Sequence, residues 1–90
     1  MDCIVLGRWR GPVGQEQYDA YRLWKRSISA AGAESEEFDT YGRYDIVMFV
    51  RGIGERDLIR SLNALRAHME TETLVMIKGE SIREAFSDLR

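Results

Sequence analysis

The 90-residue sequence contains only one proline, one cysteine and one histidine, and each scarcity excludes a class of structure. A single cysteine cannot form a disulfide within the chain, so a disulfide-stapled fold is excluded. One histidine, with no second histidine or cysteine at ligand spacing, gives no basis for a zinc or iron site, and we expect neither metal nor cofactor. The one proline, Pro12, lies in a short glycine-containing loop.

Long apolar runs are missing as well. The longest, at residues 3–6 and 46–50, are far shorter than the ~20 residues needed to cross a bilayer. The first residues lack the basic and apolar pattern of a secretory signal. We therefore expect no membrane contact, and the predicted location is the cytoplasm.

A positive charge excess is the third missing feature. Thirteen lysines and arginines stand against 15 aspartates and glutamates, which gives a net charge of −2. Nucleic-acid modules usually carry a clear positive excess because phosphate contacts dominate their affinity, so we expect no direct nucleic-acid binding. Eleven of the 13 cations are arginine. This bias has two readings, a codon preference or a use of guanidinium groups to pair with carboxylates or phosphates.

The apolar residues that are present follow two periods along the chain. Alternation with a period of two predicts strands, and spacings of three and four predict helices. Strands are predicted at 2–9, 34–41, 45–51 and 70–79, and helices at 15–31, 55–68 and 80–90. The order β-α-β-β-α-β is typical of a ferredoxin-like α+β fold, with a four-stranded antiparallel sheet and both helices on one face. We predict one domain at 1–79 and a short C-terminal helical extension at 80–90.

Both faces of the predicted sheet are apolar, although the two helices can cover only one of them. Four or five apolar side chains on the second face would contribute on the order of 6–15 kcal/mol if buried, comparable with the whole stability of a small domain. We therefore predict a homodimer or a higher even oligomer. Which face meets the helices stays open at this point. The candidate interface residues are Ile4, Leu6, Val47, Phe49, Val75 and Ile77.

Two short motifs are similar to those of a known family. The segment Tyr41-Gly42-Arg43-Tyr44-Asp45-Ile46-Val47 is followed about 25 residues later by Glu70-Thr71-Glu72-Thr73-Leu74. Together they resemble the GYD domain family and, more distantly, the effector-binding (RAM) domain of Lrp/AsnC transcription regulators. The resemblance implies a dimeric α+β barrel. From the Lrp/AsnC relatives it implies a small ligand, such as an amino acid, held between subunits near the hairpin turn and the last strand.

The motif residues have a structural and a ligand-binding reading each. Asp45 could accept hydrogen bonds from backbone amides or face a ligand ammonium, and Arg43 could clamp a carboxylate or remain solvated. Thr71 and Thr73 could hydrogen-bond across strands or to a ligand. Gly42 would permit a positive φ at the turn. The candidate ligand-binding residues are Gly42, Arg43, Tyr44, Asp45, Thr71 and Thr73.

No residue is predicted to be catalytic. His68 falls at a predicted helix end, where the helix dipole favours a cation, and Cys3 lies in an apolar strand, where a thiol behaves as a small hydrophobic group. We expect a homo-oligomeric module that binds an amino acid or small carboxylate rather than an enzyme. The alternative is a small cofactor-independent dimeric α+β-barrel enzyme, monooxygenase- or isomerase-like, acting in a pocket between helices and sheet.

Overall fold

The computed structural model describes residues 1–88, except the side chains of residues 80–82 and 88. Its order confirms the predicted β-α-β-β-α-β arrangement, followed by the predicted C-terminal helix. The elements are β1 (Asp2–Trp9), α1 (Gln15–Ala30), β2 (Glu34–Asp39), β3 (Ile46–Arg51), α2 (Glu55–Leu65), β4 (Met69–Met76) and α3 (Gly79–Asp88). α2 ends three residues earlier than predicted, at Leu65, and β4 ends at Met76 rather than at Gly79.

The four strands form one antiparallel sheet in the order β2-β3-β1-β4. β1 lies at the centre, where Val5 is opposite Met48 of β3 and Thr73 of β4. Directly opposite residues of an antiparallel pair point to the same face. The register therefore determines the two faces of the sheet, one that includes Val5 and one that includes Ile4 and Leu6.

The helices cover the face that includes Val5. Apolar side chains spaced by three and four residues in α2 are buried with Trp24 and Ile28 of α1. The core consists of Cys3, Val5, Trp24, Ile28, Ile46, Met48, Val50, Ile53, Leu58, Leu62, Leu65 and Met69. One polar side chain, Ser61, is buried among them; it accepts a hydrogen bond from Trp24 Nε1 (3.2 Å) and donates one to the Leu58 carbonyl (2.8 Å). The indole N–H is thus satisfied inside the core, as a buried donor must be.

The other face of the sheet, here called the open face, carries no helix. Its apolar residues are Ile4, Leu6, Phe38, Val47, Phe49, Leu74 and Met76. Phe38 and Leu74 keep 47% and 46% of their surface exposed, and the side chains between them are half-buried by their neighbours. The Phe38 and Phe49 rings pack edge to face, with centroids 5.8 Å apart.

Two of the six residues predicted for the second face lie elsewhere. Val75 pairs with Cys3 and belongs to the helix-covered side, and Ile77 follows the end of β4. Leu74 and Met76 occupy the open face instead. The prediction failed because residues 74–77 are all apolar. Without polar residues between them, the sequence does not show which of these side chains lie on the helix-covered face and which on the open face.

α3 makes no extensive contact with another element in the described part of the chain. Every described side chain between residues 83 and 87 is exposed, and Phe86 keeps 65% of its surface in solvent. The molecule measures 54 × 30 × 19 Å and has a radius of gyration of 15.1 Å. A compact domain of 90 residues would have a radius of gyration of about 12 Å. The excess indicates that α3 projects from the body.

Candidate functional site

The hairpin between β2 and β3 places the first predicted motif at one end of the sheet. Gly42 has φ +129°, in the region that favours glycine. Thr40, directly after β2, closes the turn: its hydroxyl donates to the Tyr44 carbonyl (2.6 Å) and its N–H donates to the Asp45 carbonyl (3.0 Å). The turn therefore presents residues 43 and 44 beyond the end of the sheet.

Asp45 serves the backbone of the neighbouring strand. Its Oδ2 accepts a hydrogen bond from the Trp9 N–H at 2.8 Å, and its own N–H donates to the Gly7 carbonyl at 2.8 Å. β3 begins only at Ile46, so these two bonds continue the contact with β1 to the residue before the start of β3. Of the two roles left open by the sequence, the structure shows the structural one, although the amide lies in β1 and not in the turn.

A charged cluster lies on the open face beside the hairpin. Arg8 donates to Glu70 at 2.8 Å, and Arg10 lies 3.6 Å from the other carboxylate oxygen of Glu70. The Tyr44 hydroxyl donates to Glu72, and the Arg43 guanidinium lies over the Tyr44 ring at 5.7 Å. We call this group the arginine end; it consists of Arg8, Arg10, Arg43, Tyr44, Glu70 and Glu72.

The charges of the arginine end fix the protonation of its acidic groups. The hydrogen bond from Arg8 holds the pKa of Glu70 below its usual range, with Arg10 adding to the effect. The hydrogen bond to Glu72 raises the pKa of Tyr44, so the phenol keeps its proton at neutral pH. Three arginines face two carboxylates, which leaves one formal positive charge in excess. Arg43 forms no ion pair within the described residues.

A shallow cavity of about 130 Å³ opens within this group. It is lined by Arg8, Arg43, Tyr44, Glu70, Thr71 and Glu72. Three of the six predicted ligand-binding residues line it, namely Arg43, Tyr44 and Thr71, although Thr71 lies opposite Gly7 and belongs to the helix-covered face. Gly42 and Asp45 shape the turn behind it without lining it, and Thr73 lies two residues further along β4 on the helix-covered face, opposite Val5.

The sequence prediction missed three of the lining residues, Arg8, Glu70 and Glu72. Arg8 and Glu70 are 62 positions apart and meet only because β1 and β4 pair in the register that sets them opposite each other. A signal was available, since opposite charges at the ends of two adjacent predicted strands favour that register. Thr71 carries the one buried side-chain oxygen without a hydrogen-bond partner in the described part of the chain.

A second groove runs between α1 and β2 and is the place where the alternative enzyme would act. It measures about 280 Å³ and is lined by Tyr18, Tyr21, Arg22, Lys25, Glu37 and Asp39. Glu37 accepts hydrogen bonds from Tyr21 and from Lys25, the latter at 2.6 Å. The Lys25 bond, followed by that of Tyr21, lowers the pKa of Glu37, while burial and Glu37 raise the pKa of Tyr21. The carboxylate thus stays ionised and the phenol stays protonated around neutral pH.

The remaining reactive side chains form no site. Cys3 is fully buried in β1, and burial raises the pKa of its thiol, which makes a thiolate nucleophile unfavourable. His68 lies in the turn after α2, which ends at Leu65, and not at the helix end as predicted; its Nε2 lies 3.9 Å from a carboxylate oxygen of Glu16 in α1. Among the side chains that the structure describes within residues 1–88, no three of histidine, cysteine, aspartate or glutamate group closely enough to hold a metal ion. No helix in that range is long and apolar enough to cross a membrane.

Comparison of the chain with protein-family models and with curated proteins finds no match. Among solved structures, it is similar to a dimeric ferredoxin-like protein of unknown function from Thermobifida fusca. The two chains share 15% sequence identity at a TM-score of 0.52, over 83% of this chain and 89% of the other. At that identity the likeness shows the fold alone, and the fold of this chain is ferredoxin-like.

Proposed function

We propose that this chain is a homodimeric binding module that holds a small amino acid or carboxylate at the edge of its subunit interface. The observation that carries the proposal is the position of the arginine end. It lies directly beside the apolar open face, so a partner packed on that face would form a further wall of the cavity. The arrangement is the one implied by the resemblance to the GYD and Lrp/AsnC domains.

The dimer is supported by the exposed apolar surface of the open face. Fully burying an apolar side chain contributes about 1.5–3 kcal/mol, and roughly half of that is still to be gained at each of the seven positions. Two such faces would contribute on the order of 10–20 kcal/mol, against an association cost of about 4–15 kcal/mol. The solved structure with the same fold is itself described as dimeric.

The ligand class is supported by the size and charge of the cavity. A volume of about 130 Å³ is small beside the ~300–1,000 Å³ of a complete ligand pocket, as expected if a second subunit completes it. Arg43 would bind a carboxylate through two parallel hydrogen bonds. Glu72, which Tyr44 already orients, lies in the same wall and would accept an ammonium group. An α-amino acid carries both groups on one carbon atom.

The enzyme alternative receives less support from the second groove. A general acid or base works best when its pKa lies near the operating pH. The environment moves Tyr21 and Glu37 in opposite directions, each away from neutrality. The tyrosine and the carboxylate instead join α1 to the edge strand β2, together with Lys25.

The test combines an oligomer measurement with a ligand screen. We expect light scattering after size exclusion to show a dimer at micromolar concentration, and Leu6→Asp to give a folded monomer. A thermal-shift screen with the twenty amino acids, acetate and succinate should show stabilisation that Arg43→Ala removes without loss of the dimer. Arg60→Ala, on the exposed side of α2, is the matched control. A wild-type monomer would refute the dimer, and a dimer that none of these compounds stabilises would refute the ligand assignment.

A further inference from the structure

The projecting helix α3 carries a large apolar side chain, Phe86, that its own subunit does not bury. Phe86 is 65% exposed, and Ile77, in the link before the helix, is 64% exposed. An isolated helix of ten residues is marginal in water and needs packing against another surface to persist. The side chains of residues 83–87 are all exposed, so the described body of the same chain provides little such packing. The feature is continuous with the open face, since the helix begins three residues after Met76.

The area of the open face indicates where α3 packs. Four strands about 4.8 Å apart and about 6–8 residues long give a flat footprint of roughly 400–500 Å². A stable interface buries about 800 Å² on each partner. A ten-residue helix is about 15 Å long and 10 Å wide. In each subunit, its own α3 on the partner and the partner's α3 on it would each add roughly 150 Å² of buried surface. The sum of about 700–800 Å² reaches the size of a stable interface.

Charge decides which end of the second copy receives the helix. The sequence of α3 contains Glu80, Glu84 and Asp88 against the single cation Arg83. The end of the sheet from which α3 departs is acidic on the open face, where Asp2, Glu34 and Glu36 stand against Arg51. The opposite end is the arginine end, with its positive excess. If the twofold axis lies between the two sheets and perpendicular to the strands, the strands of the two copies run in opposite directions. α3 of one copy then lies over the arginine end of the other, and opposite charges meet.

We propose that α3 is an exchanged arm that packs on the second copy of the chain, at the arginine end beside the open face. The proposal rests on the dimer proposed above and deepens it. Each arm then covers the cavity of the partner from outside, and Phe86 is buried on association.

An intermolecular spin-label experiment tests this placement directly. Ala85→Cys in the full-length chain, modified with a nitroxide and mixed with ¹⁵N-labelled unmodified chain, should broaden amide signals around residues 8, 43 and 70 of the unmodified copy. Cys3 stays unlabelled because it is fully buried, which treatment of the wild-type chain checks. A nitroxide at Asn63→Cys, on the exposed side of α2, should leave those signals sharp. Amide signals of the unmodified copy that stay sharp throughout, or broadening around residues 2 and 51 instead, would overturn the proposal.

Affinity measurements supply a second test that does not depend on labelling. Analytical ultracentrifugation should show the dimer Kd raised at least about tenfold by Phe86→Ala, as for a buried aromatic at an interface. Glu84→Arg should raise the Kd about two- to fivefold, and a further Arg43→Glu should restore it. An unchanged Kd in Phe86→Ala would refute the arm while leaving the dimer intact. A wild-type monomer would refute the dimer itself.

Discussion

Replacing Asp45 with alanine should lower the stability of the fold, because its carboxylate holds the backbone of a neighbouring strand. Oδ2 lies 2.8 Å from the Trp9 nitrogen in a partly buried bond that joins residues 36 positions apart. A hydrogen bond to a charged group contributes about 1.5–3 kcal/mol net, and loss of the acceptor leaves the Trp9 N–H without a partner. Since the site is only half-buried and water can reach part of it, we take the lower half, about 1.5–2 kcal/mol.

In a domain of this size each kcal/mol shifts the Tm by about 4–8 °C, so Asp45→Ala should lower it by roughly 6–16 °C. Asp45→Asn keeps an oxygen acceptor and should lose about half as much free energy. Urea unfolding, with all variants at one protein concentration because dimerisation contributes to the stability, measures the difference. The amino-acid thermal shift should survive in both variants, because Asp45 does not line the cavity. If Asp45→Ala keeps wild-type stability but loses the ligand response, the carboxylate is a ligand group and the structural assignment is wrong.

Two further predictions concern the helix-covered side of the molecule. The pKa of Tyr21 is about 10 in the unfolded chain and is raised in the folded state, so above pH 10 the folded state keeps the phenol proton that the unfolded chain loses. The free energy of unfolding should therefore fall as the pH rises beyond 10. Tyr21→Phe should flatten that fall in urea titrations at pH 9 and 11, whereas Tyr18→Phe should leave it unchanged; equal slopes in all three proteins would contradict the assignment. Gly7→Ala would drive its new methyl into the Met69 sulfur and should cost about 1–3 kcal/mol in the same assay. Met69→Ala should make room, so a double variant as unstable as the sum of the two single ones would show that the two sites do not interact.

The fold was predictable because hydrophobic period and turn residues agreed along most of the chain. The change from a period of two to spacings of three and four located both α1 and α2, and Gly32, with φ +80°, follows α1 as expected for a helix stop. The predictions failed at element ends. The strand at 70–79 was drawn too long because Ile77 continues the apolar alternation, although the chain there already leaves the sheet for α3.

The site was predictable only in part, because it depends on strand register. The motif Gly42-Arg43-Tyr44-Asp45 located the hairpin, and its Arg43 and Tyr44 do line the cavity. Which of the neighbouring β4 residues face it depends on pairing between strands more than 60 positions apart. The sequence pattern selected Thr73, whereas the register brings Glu70 and Glu72 to the arginine end.

The edges of the sheet explain why association should use the open face. Both edge strands, β2 and β4, are rich in acidic residues. β2 carries Glu34, Glu36, Glu37 and Asp39, all of them exposed. Pairing an edge of one copy with an edge of another would bring carboxylates opposite each other, which disfavours that pairing, as charged edge strands commonly do. The open face carries its charges at its two ends and along its acidic rims. This leaves an apolar centre that a second copy can bury, with the arginine end at the margin of the interface. A charge introduced at the centre, as in Leu6→Asp, should therefore abolish association, whereas Ser35→Glu, on the edge strand β2 but opposite Val50 on the other side of the sheet, should leave it largely intact.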